Sequence, residues 1–310
     1  MKERFAVIVT GQLRSFFRSD VQPQFINFIE RMKGKYDTHI FFIINDEHMP
    51  NVTFEYGCPH TVVHSYIKSA ERSHAMFSDI KKTEAYKRII EVHNNSGDLQ
   101  HEIPSVDKNF LNQSLLQVSQ IQLGLDKIRE CEEHTSTTFD YIMRTRFDAI
   151  YPDGFLPYGY SAKHTFSEYY FQHSLSQRSL YENYCKRYNL DPSKYHVQGV
   201  SDDGMHRLRV HNYLRNINFG ADYFLHRNIP SASELNNTVW MYNDHILFAR
   251  RDVFMNFNDW VSMFQIDFTD ICEKNNIRHT IALEAQIIAF FLSKNIPFVM
   301  YLDDSWALTR

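Results

Sequence analysis

Two short runs constrain this chain most: Phe5-Ala6-Val7-Ile8-Val9-Thr10 and Thr38-His39-Ile40-Phe41-Phe42-Ile43-Ile44. Both are close to continuously apolar, as in strands covered on both faces of a parallel sheet. Residues 20–33 lie between them and place Phe25, Phe28, Ile29 and Met32 on one helical stripe, with Gly34 as the expected stop. Two buried strands joined by a helix form a βαβ unit with a right-handed crossover. A sheet buried on both faces needs helices on both, which sets the class as α/β. The 310 residues are 43% apolar, enough for a sizeable core, and no repeat, low-complexity tract or linker divides them.

A third buried strand begins at Phe139. Phe139, Tyr141 and Met143 alternate, and Ile142 fills the other face. Arg144, Arg146 and Asp148 then arrive within five residues, followed at once by Ala149-Ile150-Tyr151. Burying unpaired charge is costly, so such a cluster either pairs internally or faces a cleft with a charged ligand. The first reading is an Arg–Asp salt bridge at a strand end. In the second, Asp148 holds a metal ion and the arginines face a diphosphate. The spacing leaves both open. Residues 111–131 form the helix that delivers the chain to this strand, with Leu115, Val118, Ile121, Leu125 and Ile128 as its buried stripe and Asn112, Gln113 and Gln117 near its start.

Gly11 permits a sharp turn or close approach of a ligand to the backbone. Arg14 sits just past the first strand's C-terminal end, where open α/β sheets bind ligands; the alternative is an ordinary strand-to-helix turn with a solvent arginine. Asn45-Asp46 closes the second strand, and Asp46 either binds a ribose hydroxyl or caps a turn.

Elsewhere, 52–56 and 61–64 read as short strands, 71–92 as a charged helix and 93–108 as a polar loop. Residues 152–160 are loop. The stretch 161–215 is rich in Tyr and His, with helical pieces at 178–188 and 203–215, and suits a variable recognition layer. Residues 239–249 read as one strand broken at Asn243-Asp244-His245. Helices are expected over 251–257, 262–274 and 280–294, the last with Glu284 opposite its apolar face, and a final strand over 297–302.

A net charge of -4 and the lack of a basic run argue against nucleic acid as a partner. The apolar run at residues 5–10 is too short for a signal-peptide core or a membrane span, and no later run approaches one, so a cytoplasmic protein is expected. Cys58, Cys131, Cys185 and Cys272 form no CxxC pair and read as free thiols. The 16 histidines show no HExxH spacing. Aromatic residues, at 15%, suit a thick core and stacking on flat ligands.

Gly11-Gln12-Leu13-Arg14 after the first strand, Tyr141-Ile142-Met143-Arg144-Thr145-Arg146-Phe147-Asp148 at mid-chain, Asn243-Asp244-His245-Ile246-Leu247-Phe248 before a helix, and the Glu284-bearing helix together resemble nucleotide-sugar-dependent glycosyltransferases of the GT-A fold. The closer likeness is to bacterial and large-virus sugar transferases of capsule or glycan synthesis, and it does not extend over 155–235. It implies one GT-A-like domain with a Rossmann-like, mostly parallel sheet flanked by helices. Residues 1–150 would be its nucleotide-sugar half and 151–310 its acceptor half, in the cytoplasm, of a host if viral. The implied partners are a nucleotide-sugar donor and a glycan acceptor. The implied cofactor is Mn2+ or Mg2+.

By the same resemblance Thr10, Gly11, Gln12, Arg14, Asn45, Arg144, Arg146 and Asp148 lie against the nucleotide. Residues 144–148 stand where the fold carries its DxD motif, but Arg146 takes the place of the first acid. Only Asp148 carries over as a metal ligand. Glycosyl transfer leaves negative charge on a nucleoside diphosphate, which a cation or an arginine fork stabilises. An inverting enzyme also needs a base at the acceptor hydroxyl. Asp244 is the first candidate, then Glu284 and Asp203, and His245 is a possible metal ligand. The rival readings are a non-catalytic nucleotide or glycan binder on the same fold, and a nucleotidyltransferase. The latter calls for a Gly-rich, Lys-bearing first loop, which Gly11-Gln12-Leu13-Arg14 matches poorly.

Overall fold

Phe5 to Val9 have no exposed surface, and their side chains divide between two cores. Ala6 and Ile8 belong to one, Phe5, Val7 and Val9 to the other. This strand, β1 (Arg4–Gly11), is the centre of a sheet covered on both faces. The computed structural model describes residues 2–13, 16–46, 55–87, 114–149, 151, 156–157, 239–242, 246–265, 283–296 and 298–301. Within them the other strands are β2 (Asp37–Ile44), β3 (His60–His64), β4 (Tyr141–Arg146), β5 (Val239–Tyr242), β6 (Ile246–Arg250) and β7 (Phe298–Tyr301). The helices are α1 (Gln22–Lys35), α2 (Tyr66–Ile80), α3 (Leu116–Thr135), α4 (Arg251–Phe254), α5 (Ser262–Gln265) and α6 (Leu283–Ser293).

The sheet runs β3-β2-β1-β4-β6-β5-β7. β1 pairs in parallel with both β2 and β4, β2 with β3, and β5 with β7. Only β6 runs against its neighbours. The protein is thus of the α/β class with a mixed sheet, and strands from both halves of the chain share it. The single strand expected over 239–249 is two antiparallel strands, so the Trp240 and Phe248 rings face each other across the pair. A continuous apolar run broken by three polar residues does not reveal a reversal of direction.

Helix α1 packs Phe25, Phe28, Ile29 and Met32 on one face of the sheet, the stripe read from sequence. Gly34 does not stop it; α1 continues to Lys35, and Tyr36 leaves in an extended conformation. Tyr36 is drawn away by tertiary contacts: its ring lies 4.9 Å from Phe5 and its hydroxyl donates to the Pro157 carbonyl at 2.8 Å. The opposite face carries α2, α3, α6 and the 254–264 segment. α2 begins at Tyr66, earlier than the expected 71, and ends at Ile80. α3 keeps its whole apolar stripe buried, and it also buries Ser119, Gln120 and Gln122. It is a central helix, wedged between the sheet, α2 and the turn at Met255–Asp259; Gln122 Nε2 donates to the Phe257 carbonyl at 3.0 Å. Cys58 and Cys131 are free thiols. Among the described residues no helix is long and apolar enough to cross a membrane.

His39 on β2 gives a pH prediction. Its Nε2 lies 3.1 Å from Thr61 Oγ1, its Nδ1 3.7 Å from Cys131 Sγ, and its ring stacks on Phe41. Burial, then the nearby Arg4 and His60 charges, push its pKa down from 6.5 to about 4, against a smaller opposing pull from Asp37. The unfolded chain takes up this proton first as pH falls, so stability is complete above the unfolded value of 6.5 and declines between 6.5 and about 4. The melting temperature is expected to fall across that window, and His39→Gln to flatten its upper part. An equal slope in the variant would remove His39 as the cause.

Candidate functional site

The strand order progresses from β1 through β2 to β3 on one side, and β4 begins on the other. The carboxyl ends of β1 and β4 therefore flank a topological switch point, where open α/β sheets form a crevice. Thr10 stands opposite Arg146 in this register. Of the residues expected at a nucleotide, Thr10, Gly11, Gln12, Asn45, Arg144, Arg146 and Asp148 all fall at this carboxyl edge or within the last turn leading to it.

Gly11 takes φ +118°, a conformation that strains any side chain, and a Cβ there would meet nothing within 4 Å. Its carbonyl accepts the Asn45 N–H at 2.8 Å, which ties the ends of β1 and β2 together. Gln12 is exposed, and Leu13 turns back into the core. Asp46 fills the turn-capping role of the two read for it: its Oδ2 accepts the Leu13 N–H at 2.7 Å and fixes the loop after Gly11. Asn45 is only 7% exposed, and its buried Oδ1 finds no hydrogen-bond partner. Leaving such an acceptor unsatisfied costs about 1–3 kcal/mol, so a ligand N–H or O–H would be favoured beside it.

Arg144 is among the largest fully buried side chains, 1% exposed. Strand alternation puts it on the α3 face with Ile142, as it puts Thr10 with Ile8. Its Nε donates to Thr10 Oγ1 at 3.1 Å and its Nη2 to Gln117 Oε1 at 2.8 Å. Thr10 Oγ1 in turn donates to the Thr145 carbonyl. A guanidinium is thus held under the sheet's carboxyl edge beside the N-terminal turn of α3, whose dipole adds positive potential.

Arg146 and Asp148 form a two-point fork: Nε to Oδ1 at 2.8 Å and Nη2 to Oδ2 at 3.0 Å, with the side chains 24% and 11% exposed. The pairing alternative describes these two residues. Phe147 between them turns to the other face, where its ring packs edge-on to Phe16 and stacked with Phe42, and this anchors the turn. Tyr151 braces the same turn. Its hydroxyl lies 2.7 Å from Thr145 Oγ1, its ring stacks on Phe28 at 4.3 Å, and burial raises its pKa far above the ordinary phenol value.

The resemblance gives one of these residues, Asp148, a metal-binding role. Asp148 is the only acid carried over to that role, and a guanidinium takes both its oxygens. Among the described residues no three His, Cys, Asp or Glu side chains come together as ligands. Glu284 is the second residue of α6. Arg14, Asp203, Asp244 and His245 lie outside the described residues.

Sequence reasoning did not assign Gln117, although it had placed it near the helix start. The available signal was its position: a polar residue in the first turn of a helix that runs back along the following strand and meets that strand's last residues. Compared with protein-family models and with curated proteins, the chain has no match.

Proposed function

We propose that this chain is a glycosyltransferase of the GT-A type, moving a sugar from a nucleotide-sugar donor to a glycan acceptor. The observation that carries the reading is the gathering of Thr10, Arg144, Arg146 and Asp148 where β1 and β4 end and the strand order reverses. A diphosphate at a switch point is bound by backbone N–H groups and cationic side chains. Gly11 lets the backbone come close to it. The Asn45 acceptor suits a ribose hydroxyl or a base N–H.

In the reaction the bond from the anomeric carbon to the diphosphate oxygen breaks as the acceptor oxygen bonds to that carbon. The electron pair passes to the leaving diphosphate, and the acceptor's proton passes to a base. Arg144 and Arg146 are the residues proposed to stabilise the growing charge, through fixed donors that need no reorganisation. Asp244 is the proposed base, with Glu284 as second candidate.

The test is a thermal-shift screen of the full chain against nucleoside diphosphates and their sugars, followed by product analysis with glycan acceptors. A ligand that prefers the folded state raises the melting temperature by mass action, so an unreactive donor still registers. At least one nucleotide is expected to shift the transition, and its sugar to be transferred. No shift across the panel would remove the reading.

The Arg146–Asp148 fork, in place of two free acids, favours a second reading: a non-catalytic nucleotide or glycan binder. Binding without transfer or donor hydrolysis selects it.

A further inference from the structure

We infer that Asn45 reads the ribose of the bound nucleotide, its Oδ1 accepting a hydrogen bond from a ribose hydroxyl. The inference rests on the nucleotide-binding reading above and names the part of the ligand that this residue selects. Asn45 directly follows β2, and its N–H donates to the Gly11 carbonyl at 2.8 Å, so the β1–β2 ladder runs one step past the strand. Ile43 belongs to the core on the α3 side of the sheet and Ile44 to the opposite core. Alternation therefore turns Asn45 to the α3 side, the face that also carries Thr10 and Arg144. The residue is 7% exposed, and its buried Oδ1 finds no hydrogen-bond partner among the described residues.

The chemistry of this oxygen narrows its partner. An amide oxygen needs a donor, and ionised phosphates accept hydrogen bonds without giving any, which leaves the ribose O–H and base N–H groups. A base N–H lies in the plane of a broad ring, and it meets a recessed oxygen only where the whole ring edge can enter. A hydroxyl stands out from its ring on a single bond and reaches further in. Position favours the same group. Asn45 is tied to Gly11, whose φ of +118° and bare α-carbon let a phosphate come close to the backbone, and ribose is the group bonded directly to that phosphate. Asp46, the neighbouring candidate for a ribose hydroxyl, instead holds the Leu13 N–H at 2.7 Å. The ribose reader at this strand end is then a neutral amide, and the acid beside it shapes the loop.

The test uses the full chain with UDP, GDP, ADP and CDP and with the 2′-deoxy and 3′-deoxy form of each, measured by calorimetry and thermal shift. The nucleotide that binds is expected to lose about tenfold in affinity in at least one deoxy form, the scale of one hydrogen bond to a buried acceptor. Asn45→Leu removes the acceptor and keeps the backbone bond to Gly11. It is expected to erase the difference: the ribonucleotide weakens to the level of the deoxy form, and the deoxy form binds as it does to wild type. Asp46→Asn, which retains an oxygen for the Leu13 N–H, is expected to keep the ribose preference. Equal binding of ribo and deoxy forms by the wild-type chain overturns the inference and leaves the nucleotide reading intact, and that comparison needs no variant to fold. A ribose preference that survives Asn45→Leu, with or without a change in base preference, overturns it too. An absence of binding in every arm overturns both readings.

Discussion

Gly124→Val is expected to lower stability by about 3 kcal/mol, the upper end of the cost of inserting volume into a packed core. At roughly 2 °C per kcal/mol for a chain of this size, the melting temperature falls by about 6 °C. The cause is the seat of α3 on β1. A Cβ at Gly124 would lie 2.6 Å from Ile8 Cγ2 and 3.0 Å from Ile8 Cδ1. Ile8 is fully buried in the central strand and β-branched, so it cannot swing aside. Gly124→Ala should cost less, because alanine recovers about 1 kcal/mol of helix propensity. The valine variant should also disturb the site, since the displaced helix carries Gln117, which holds Arg144. Differential scanning calorimetry measures the first effect and nucleotide affinity the second. A valine variant that melts with wild type would show that α3 does not sit this close.

Glu132→Ala is expected to cost about 3 kcal/mol, again about 6 °C, because it strips the partners from the other end of the same helix. Glu132 is 7% exposed. Its Oε1 accepts the Phe139 N–H at 2.9 Å and Arg251 Nε at 2.8 Å, while its Oε2 accepts Arg251 Nη2 at 2.7 Å. One carboxylate thus joins the end of α3, the entry to β4 and the start of α4. Removing it leaves a buried N–H unsatisfied and a guanidinium, 31% exposed, unpaired. The double variant Glu132→Leu with Arg251→Met should recover part of the loss, because two apolar side chains replace both charges. It should not recover all of it, since the Phe139 N–H remains without its acceptor. A Glu132→Ala protein melting within a degree of wild type would dismiss the pair as a structural tie.

Both variants act on α3, and α3 also marks the limit of what pattern could reveal. Its stripe of Leu115, Val118, Ile121, Leu125 and Ile128 is apolar at helical spacing, and all five are buried. Burial of Gln122 on its flank had no such signature, because its acceptor, the Phe257 carbonyl, comes from a segment 135 residues away, not from neighbours in sequence. The site behaved alike. The charges at 144, 146 and 148 were visible as an anomaly on a buried strand, but whether they paired or faced a ligand was undecided. Arg144 is held by Thr10, 134 residues away, and by Gln117, 27 residues away. Arg146 pairs with Asp148 because Phe147 between them is pinned in the opposite core.

What the sequence by itself determined is local: the βαβ start, the stripes of α1 and α3, and the gathering of polar residues at strand ends. The periods of strand and helix, two and 3.6 residues, force apolar side chains onto one face or both, and that pattern is written in order along the chain. What only the tertiary structure decided is pairing: the reversal of β6, the wedge of α3 against β1, and the choice of Thr10 and Gln117 as partners for a buried arginine. Hydrogen bonds and ion pairs act over about 3 Å, and distances of that size between remote residues exist only after the sheet has closed.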